Sequence, residues 1–338
     1  MLGYVAQGAF FMRFFIQWLA SEKKKKSVVP TAFWYASLVG GLLLLSYSVH
    51  TRDPVFILGQ AVGAIIYIRN VALIRRREEK GFGAASWVLA GGVALLVLSL
   101  VLPGVAKESK VHATGVWLAF GLAGQVIFFM RFVVQWIVSE REKRSVMPKS
   151  FWYISLCGGV MLLAYAVKVR DPVFIVGQGT GVFIYLRNII LIEGERGRDF
   201  AYTVLLALAG TLLFVVGTGD TALSASSEAR SAEIAREMYV TGDYIVPHLN
   251  GMIALTKPPL YHWLAAASYA VFGVNEFAAR FPSGLAGIGA ILATFLLVRR
   301  LYDSTTGFLA AVMTASAIEF VWNARAARTD MVYTFFVV

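Results

Sequence analysis

Residues 6–74 return at residues 124–192, displaced by 118 positions without a gap, and more than half of the aligned positions are identical. Arg13 falls on Arg131, Pro30 on Pro148, Asp53 on Asp171 and Asn70 on Asn188. Both copies are strongly apolar. A duplicated apolar block is the mark of a membrane bundle built from two homologous halves. Nothing after about residue 200 repeats, so the block also divides the chain.

Composition agrees with a membrane setting. The 338 residues are 58% hydrophobic, against about 45–50% for soluble domains. The net charge of +11 then marks cytoplasmic loops and anionic head groups. No basic stretch is interleaved with aromatics in a soluble context, so nucleic acid is excluded as an expected partner. Cys157 is the only cysteine; it forms no internal disulfide and reads as a packing residue. The first apolar run belongs to the repeat and is not a cleavable signal. Repeat two carries Trp117 to Ala123 ahead of the block, where repeat one has only Met1 to Val5, and the chain stops inside the run Phe335 to Val338. Both ends are therefore expected to be cut, with the last span unfinished.

Each repeat holds three apolar segments: about Leu2–Ala20, Pro30–Val49 and Pro54–Ile74, then Gly115–Val138, Pro148–Val167 and Pro172–Ile192. Another run, Ala84–Leu102, lies between them, and one more spans about Ala201–Val216. Lys23–Lys26, Arg75–Arg77, Arg141–Arg144 and Arg196/Arg198 can then all be cytoplasmic, as the positive-inside rule asks. Residues 217–257 fall on the outer face. If Pro258–Phe272 crossed the bilayer, the next helix, about Phe281–Val298, would end outside at Arg299-Arg300. With Tyr261, His262 and Trp263, that segment suits an interfacial helix instead. The run at about Phe308–Val321 then leads outward and leaves Arg325, Arg328 and Asp330 at the outer surface.

Within the repeats, Arg13 and Gln17 share a helix face, as do Arg131 and Gln135. Gln60, Gly63, Tyr67 and Asn70 line another face, matched by Gln178 and Asn188 in the second copy. Intramembrane charge normally faces a bundle interior or cavity. These residues read either as a groove for a head group or sugar, or as interhelical hydrogen bonding.

Arg13-Phe14-Phe15-Ile16-Gln17-Trp18, Ser27-Val28-Val29-Pro30, Phe33-Trp34, Arg52-Asp53-Pro54-Val55-Phe56 and Tyr67-Ile68-Arg69-Asn70, with their copies, resemble the lipid A biosynthesis N-terminal domain. That family is similar in turn to the three-helix units of PQ-loop and SWEET-type sugar transporters. The resemblance covers nearly all of residues 1–195.

After it, a helix is expected from Ser227 as N-cap to Val240, closed by Gly242. Asn250-Gly251 and Pro258-Pro259 punctuate turns. Acidic and basic groups are thereby gathered against the membrane face beside Arg325, Arg328 and Asp330. Transfer from a lipid-linked phosphate sugar needs a carboxylate to take the acceptor's hydroxyl proton and cations to stabilise the departing phosphate. The other reading leaves Glu228 as a helix-dipole partner and Lys257 as a snorkelling side chain.

Glu228-Ala229-Arg230, Ile234-Ala235-Arg236-Glu237-Met238, Gly242-Asp243-Tyr244, Val246-Pro247-His248-Leu249-Asn250-Gly251, Lys257-Pro258-Pro259-Leu260, Ala279-Arg280-Phe281-Pro282 and Arg328-Thr329-Asp330 resemble the start of a GT-C glycosyltransferase. The family is that of the aminoarabinose and protein O-mannosyl transferases. The resemblance implies a donor-phosphate contact for Lys257, with Arg325 and Arg328 beside it, and a place near the active site for Asp330. Two departures stand out. Ser227 occupies the place of the family's usual catalytic Asp, which points to Glu228 as its substitute. Thr256 replaces a Glu common before Lys-Pro-Pro, a metal ligand where members bind metal, which argues against a metal site here.

The sequence thus leads to an all-α polytopic membrane protein. Its expected parts are repeat 1 over residues 1–80, a linker helix over 81–110, repeat 2 over 111–197 and the start of a transferase over 198–338. The expected function is sugar transfer from a polyprenyl-phosphate donor to lipid A or another envelope acceptor, at the outer face of a bacterial inner membrane. The rival is a SWEET-like transporter or flippase of lipid-linked sugar. A third reading makes the repeats only an anchor.

Overall fold

The computed structural model describes residues 2–24, 30–77, 115–142, 147–255 and 257–338. The expected linker run, Ala84–Leu102, lies outside the described residues. The chain divides into two compact units, Met1–Ile192 and Glu193–Val338.

The first unit contains helices α1 (Leu2–Lys24), α2 (Thr31–Thr51) and α3 (Pro54–Arg77), and their counterparts α4 (Gly115–Arg141), α5 (Lys149–Lys168) and α6 (Pro172–Glu193). Prolines set the starts: Pro30 and Pro148 are N-caps, while Pro54 and Pro172 open their helices, where a missing N–H costs nothing. Arg52 and Arg170 turn left-handed, at φ 55° and 56°, between the second and third helix of each repeat. The next residue then caps the third helix. Asp53 Oδ1 accepts from the Val55 and Phe56 N–H groups at 2.9 and 3.2 Å, and Asp171 Oδ1 from Val173 and Phe174 at 2.9 and 3.1 Å.

The two copies close on each other about a pseudo-two-fold axis. Phe56 stacks on its own counterpart, Phe174, with ring centroids 3.5 Å apart and planes within 4°. The tyrosines cross over: the Tyr47 hydroxyl donates to Asp171 at 3.1 Å, and Tyr165 to Asp53 at 3.4 Å. Cys157, expected to pack, is instead exposed on the outside of α5, because its position on the helix points away from the buried face of Ser155, Leu156, Gly158 and Gly159.

In the second unit, α7 (Glu195–Gly210) widens into a π-helical turn at Thr211–Val215. There follow α8 (Ser226–Thr241), a two-strand hairpin of β1 (His248–Leu249) and β2 (Met252–Ile253), α9 (Leu260–Phe272), α10 (Glu276–Leu301), α11 (Ser304–Ser316), α12 (Ile318–Ala324) and α13 (Thr329–Val337). The hairpin pairs His248 with Ile253 and Leu249 with Met252 around Asn250-Gly251, which take φ 53° and 76°. Asn-Gly is suited to that turn because both central residues must have positive φ. The core gathers Phe214, Tyr261, Tyr269, Ile291 and Phe295 with many alanines. Two tyrosines fasten α9 to its neighbours: Tyr261 donates to the Ala279 carbonyl at 2.8 Å and Tyr269 to that of Ala232 at 3.2 Å.

Among the described residues six helical stretches are long and apolar enough to cross a membrane, a seventh counting if the bent pair α11–α12 is one span. The protein is an all-α polytopic membrane protein. Two expectations need revision. The run Phe308–Val321 is not one straight helix: α11 and α12 meet at 71° across Ala317, whose extended backbone (ψ 126°) ends the first helix. The outer-loop helix begins at Ser226 with Ala225 as cap residue, so Ser227 lies in the first turn and is no N-cap. By contrast, α9 has 13 residues, about 20 Å, too short for a hydrocarbon core of about 30 Å.

Candidate functional site

The site in the second unit is assembled by α10. Its start is capped by Asn275, whose side chain accepts from the Ala278 N–H, and this sets the register of Arg280 one turn later. Arg280 is 5% exposed and fully engaged. Its guanidinium donates to the carbonyls of Thr218 and Thr221 at 2.6 Å and of Ala222 at 3.0 Å, and forks onto Glu228 at 2.7 and 3.1 Å. Glu228 is 6% exposed and also accepts the Ala327 N–H at 2.9 Å. Burial pushes this carboxyl up, but Arg280 and the Ala327 N–H outweigh that and hold it below the usual glutamate range. The Glu228–Arg280 pair thus ties together the start of α8, the loop before it, α10 and the turn after α12.

On the next turn of α10, Ser283 donates to the Arg328 carbonyl at 3.0 Å. This fixes the residues entering α13. Arg328, Asp330, Lys257, Arg230 and His262 then line one cavity of about 270 Å³, with Ser227 at its wall. Lys257 Nζ donates to Thr329 Oγ1 at 2.9 Å and lies 3.8 Å from Asp330 Oδ1. Arg328 leaves its buried Nε without a partner. His262 is 3% exposed, with Nδ1 also unpartnered. Burial first, then the Lys257 charge, lower its pKa to about 4, so it is neutral at pH 7.

The structure therefore brings Lys257, Arg328 and Asp330 together and sets two expected residues apart. Glu228 lines the neighbouring cavity of about 580 Å³ with Arg280, Arg325 and Arg328. Arg325 donates to the carbonyls of Leu213 and Val216 at 2.6 and 3.2 Å, closing the π-helical turn. Sequence reasoning missed three participants. Arg230 and Arg280 lie inside the Glu228-Ala229-Arg230 and Ala279-Arg280-Phe281-Pro282 motifs without standing out there, and His262 carries no sequence signal beyond its interfacial setting. Among the described residues no three His, Cys, Asp or Glu side chains gather in a way that could hold a metal ion.

In the first unit, a cavity of about 60 Å³ between the repeats is lined by Arg13, Gln60, Arg131 and Gln178, together with Tyr67 and Tyr185. Gln17 and Gln135 do not reach it, and Asn188 donates to the Ile184 carbonyl at 2.8 Å instead. The side chain of Asn70 lies outside the described residues.

Comparison with known proteins agrees with this division. The Lipid A Biosynthesis N-terminal domain family matches twice, at residues 2–72 and 120–190. The Dolichyl-phosphate-mannose-protein mannosyltransferase family matches residues 256–338, the segment that carries Lys257, Arg328 and Asp330. The two matches support a fusion of a lipid A biosynthesis N-terminal module with a glycosyltransferase segment. Among curated relatives, a lipid-A-disaccharide synthase of Chlamydia pneumoniae is 30% identical over 204 residues, 58% of this chain and 33% of the relative. That of Chlamydia felis is 28% identical over 205 residues, 56% of this chain and 32% of the relative. An uncharacterized protein of Aquifex aeolicus is 33% identical over 135 residues, 40% of this chain and 27% of the relative. The chain spans about a third of the length of the curated relatives it matches. No solved structure matches.

Proposed function

We propose that residues 198–338 carry the donor-phosphate site of a membrane glycosyltransferase, which uses a polyprenyl-phosphate sugar and an envelope acceptor such as lipid A. One observation carries this reading: Arg230, Lys257, Arg328 and the carboxylate of Asp330 converge on one cavity from three separate segments. The mannosyltransferase-family match at residues 256–338, which include Lys257, Arg328 and Asp330, supports it. The lipid A acceptor rests on the module matched at residues 2–72 and 120–190.

In this reading the acceptor hydroxyl attacks the anomeric carbon, and the carbon–oxygen bond to the lipid phosphate breaks. Lys257, Arg328 and Arg230 take up the charge that develops on the leaving phosphate. Asp330 accepts the hydroxyl proton. Glu228 does not touch substrate: it positions Arg280 and the turn at Ala327. Neutral His262 offers a hydrogen bond to a sugar hydroxyl. The site faces the outer side of the bacterial inner membrane, where the positive-inside rule puts residues 217–257.

The test uses the full-length protein in proteoliposomes with a polyprenyl-phosphate sugar and lipid A, and reads the product by mass spectrometry. Transfer that falls at least a hundredfold in both Lys257→Ala and Asp330→Asn is expected. Undiminished transfer in both, or transfer from a nucleotide sugar but not from the lipid-linked donor, overturns the assignment.

A further inference from the structure

The cavity between the two repeats has an electrostatic peculiarity. Most of its lining comes in pairs related by the 118-residue shift, among them Arg13 with Arg131, Gln60 with Gln178 and Tyr67 with Tyr185. It therefore straddles the pseudo-two-fold axis. Both arginines are only 6% exposed. Arg13 Nη1 donates to the Tyr67 hydroxyl at 2.9 Å and Arg131 Nη1 to that of Tyr185 at 3.2 Å. Each guanidinium also lies over an aromatic ring, Phe10 and Phe128 respectively, at 3.5 Å. Both Nε atoms are buried and have no partner, and among the described residues no Asp or Glu lines the cavity.

Two guanidinium groups inside a membrane bundle without a counter-charge are costly. Buried charge is ordinarily paired, and neither a hydroxyl nor a ring face neutralises it. The ligand that resolves this imbalance is an anion. Tetrahedral oxyanions suit arginine, which offers several N–H donors in a fixed fork. Size narrows the class. A water needs about 10–15 Å³ of such space, so 60 Å³ takes a group of a few heavy atoms, a phosphate and not a hexose.

We infer that the inter-repeat cavity is a phosphate-binding site, with Arg13 and Arg131 holding one phosphate group between them and Gln60 and Gln178 bonding its remaining oxygens. The phosphate belongs either to a polyprenyl phosphate or to free phosphate. This site is separate from the transferase cavity and does not depend on that reading.

Native mass spectrometry of the full-length protein in detergent tests it, in a Lys257→Ala background that weakens the other phosphate site. The probes are a polyprenyl phosphate, the uncharged polyprenol, inorganic phosphate and glucose. One bound phosphate species is expected, with polyprenol and glucose at least tenfold weaker. Arg13→Gln and Arg131→Gln, each leaving one guanidinium in place, should each weaken binding at least tenfold, and Arg13→Lys/Arg131→Lys should recover part of it. Saturation by polyprenyl phosphate or by inorganic phosphate identifies the source, and either supports the site. Binding of neither, equal binding of polyprenol, or binding unchanged in both single glutamine variants overturns it. Because every arm keeps Lys257→Ala, failure here leaves the transferase assignment standing.

Discussion

Arg280 and Glu228, 52 residues apart in sequence, form a two-pronged ion pair at 2.7 and 3.1 Å that is almost wholly removed from solvent. Breaking one partner of such a pair leaves an uncompensated charge and costs about 3–5 kcal/mol. The two halves are not equivalent, because Arg280 also satisfies the carbonyls of Thr218, Thr221 and Ala222. Arg280→Met is therefore expected to destabilise more than Glu228→Gln, and the double variant less than the sum. Thermal unfolding in detergent measures the three. Strict additivity would falsify the pairing. Because the carboxyl is held below the ordinary glutamate range, its contribution is fully present at neutral pH and is lost only as pH falls through that lowered value.

His262 gives a pH dependence in a higher window. Its pKa falls from 6.5 to about 4 on folding. Between those values the unfolded chain binds the proton and the folded one does not, so stability rises with pH across the window. The contribution is complete above pH 6.5 and is lost on the way down to about 4, a change of about 3 kcal/mol. His262→Asn should flatten the slope of Tm against pH between 4.5 and 6.5 relative to the parent. Parallel slopes would remove the buried neutral histidine from the account.

The repeat was legible because its signal is long and apolar: an unbroken register over residues 6–74 and 124–192 needs only counting. The hairpin turn at Asn250-Gly251 was legible because positive φ narrows the choice of residues. The break at Ala317 was not, since neither Pro nor Gly interrupts residues 308–321 and the run reads as continuous. Arg280 escaped for a different reason. Its partners lie 52 to 62 residues away, and a long-range ion pair leaves no periodicity in the local sequence. Three of the expected groove residues, Gln17, Gln135 and Asn188, lie away from the cavity. Residues four apart on a helix share a face but lie about 6 Å apart along the axis, which leaves Gln17 and Gln135 beyond the end of a cavity that Arg13 and Arg131 line.

The duplication makes a matched pair of packing predictions. A Cβ on Gly40 would meet the Phe10 backbone at 2.4 Å, and one on its counterpart Gly158 would meet the Phe128 backbone at 2.7 Å. Backbone on both sides cannot yield as a flexible side chain can, so helices must part. Overpacking of this kind costs about 1–3 kcal/mol. Gly40→Ala and Gly158→Ala should each lower Tm by comparable amounts, whereas Gly8→Ala, with nothing within 4 Å, should not. A Tm unchanged in both would deny the close crossing of the first and second helices in each repeat.

Lys257 and Asp330 share one cavity yet should fail differently when replaced. Lys257 stands 2.9 Å from Thr329 Oγ1 and 3.8 Å from Asp330, half exposed and free to reach a phosphate. In the proposed mechanism it binds the donor in the ground state and the leaving group in the transition state. Lys257→Ala should therefore raise KM for the lipid-linked donor and lower kcat together. Asp330 acts only on the acceptor proton, so Asp330→Asn should lower kcat by about 10²–10⁴ with KM for the donor little changed. A donor KM that rises in Asp330→Asn while kcat holds would move Asp330 from proton acceptor to donor binding.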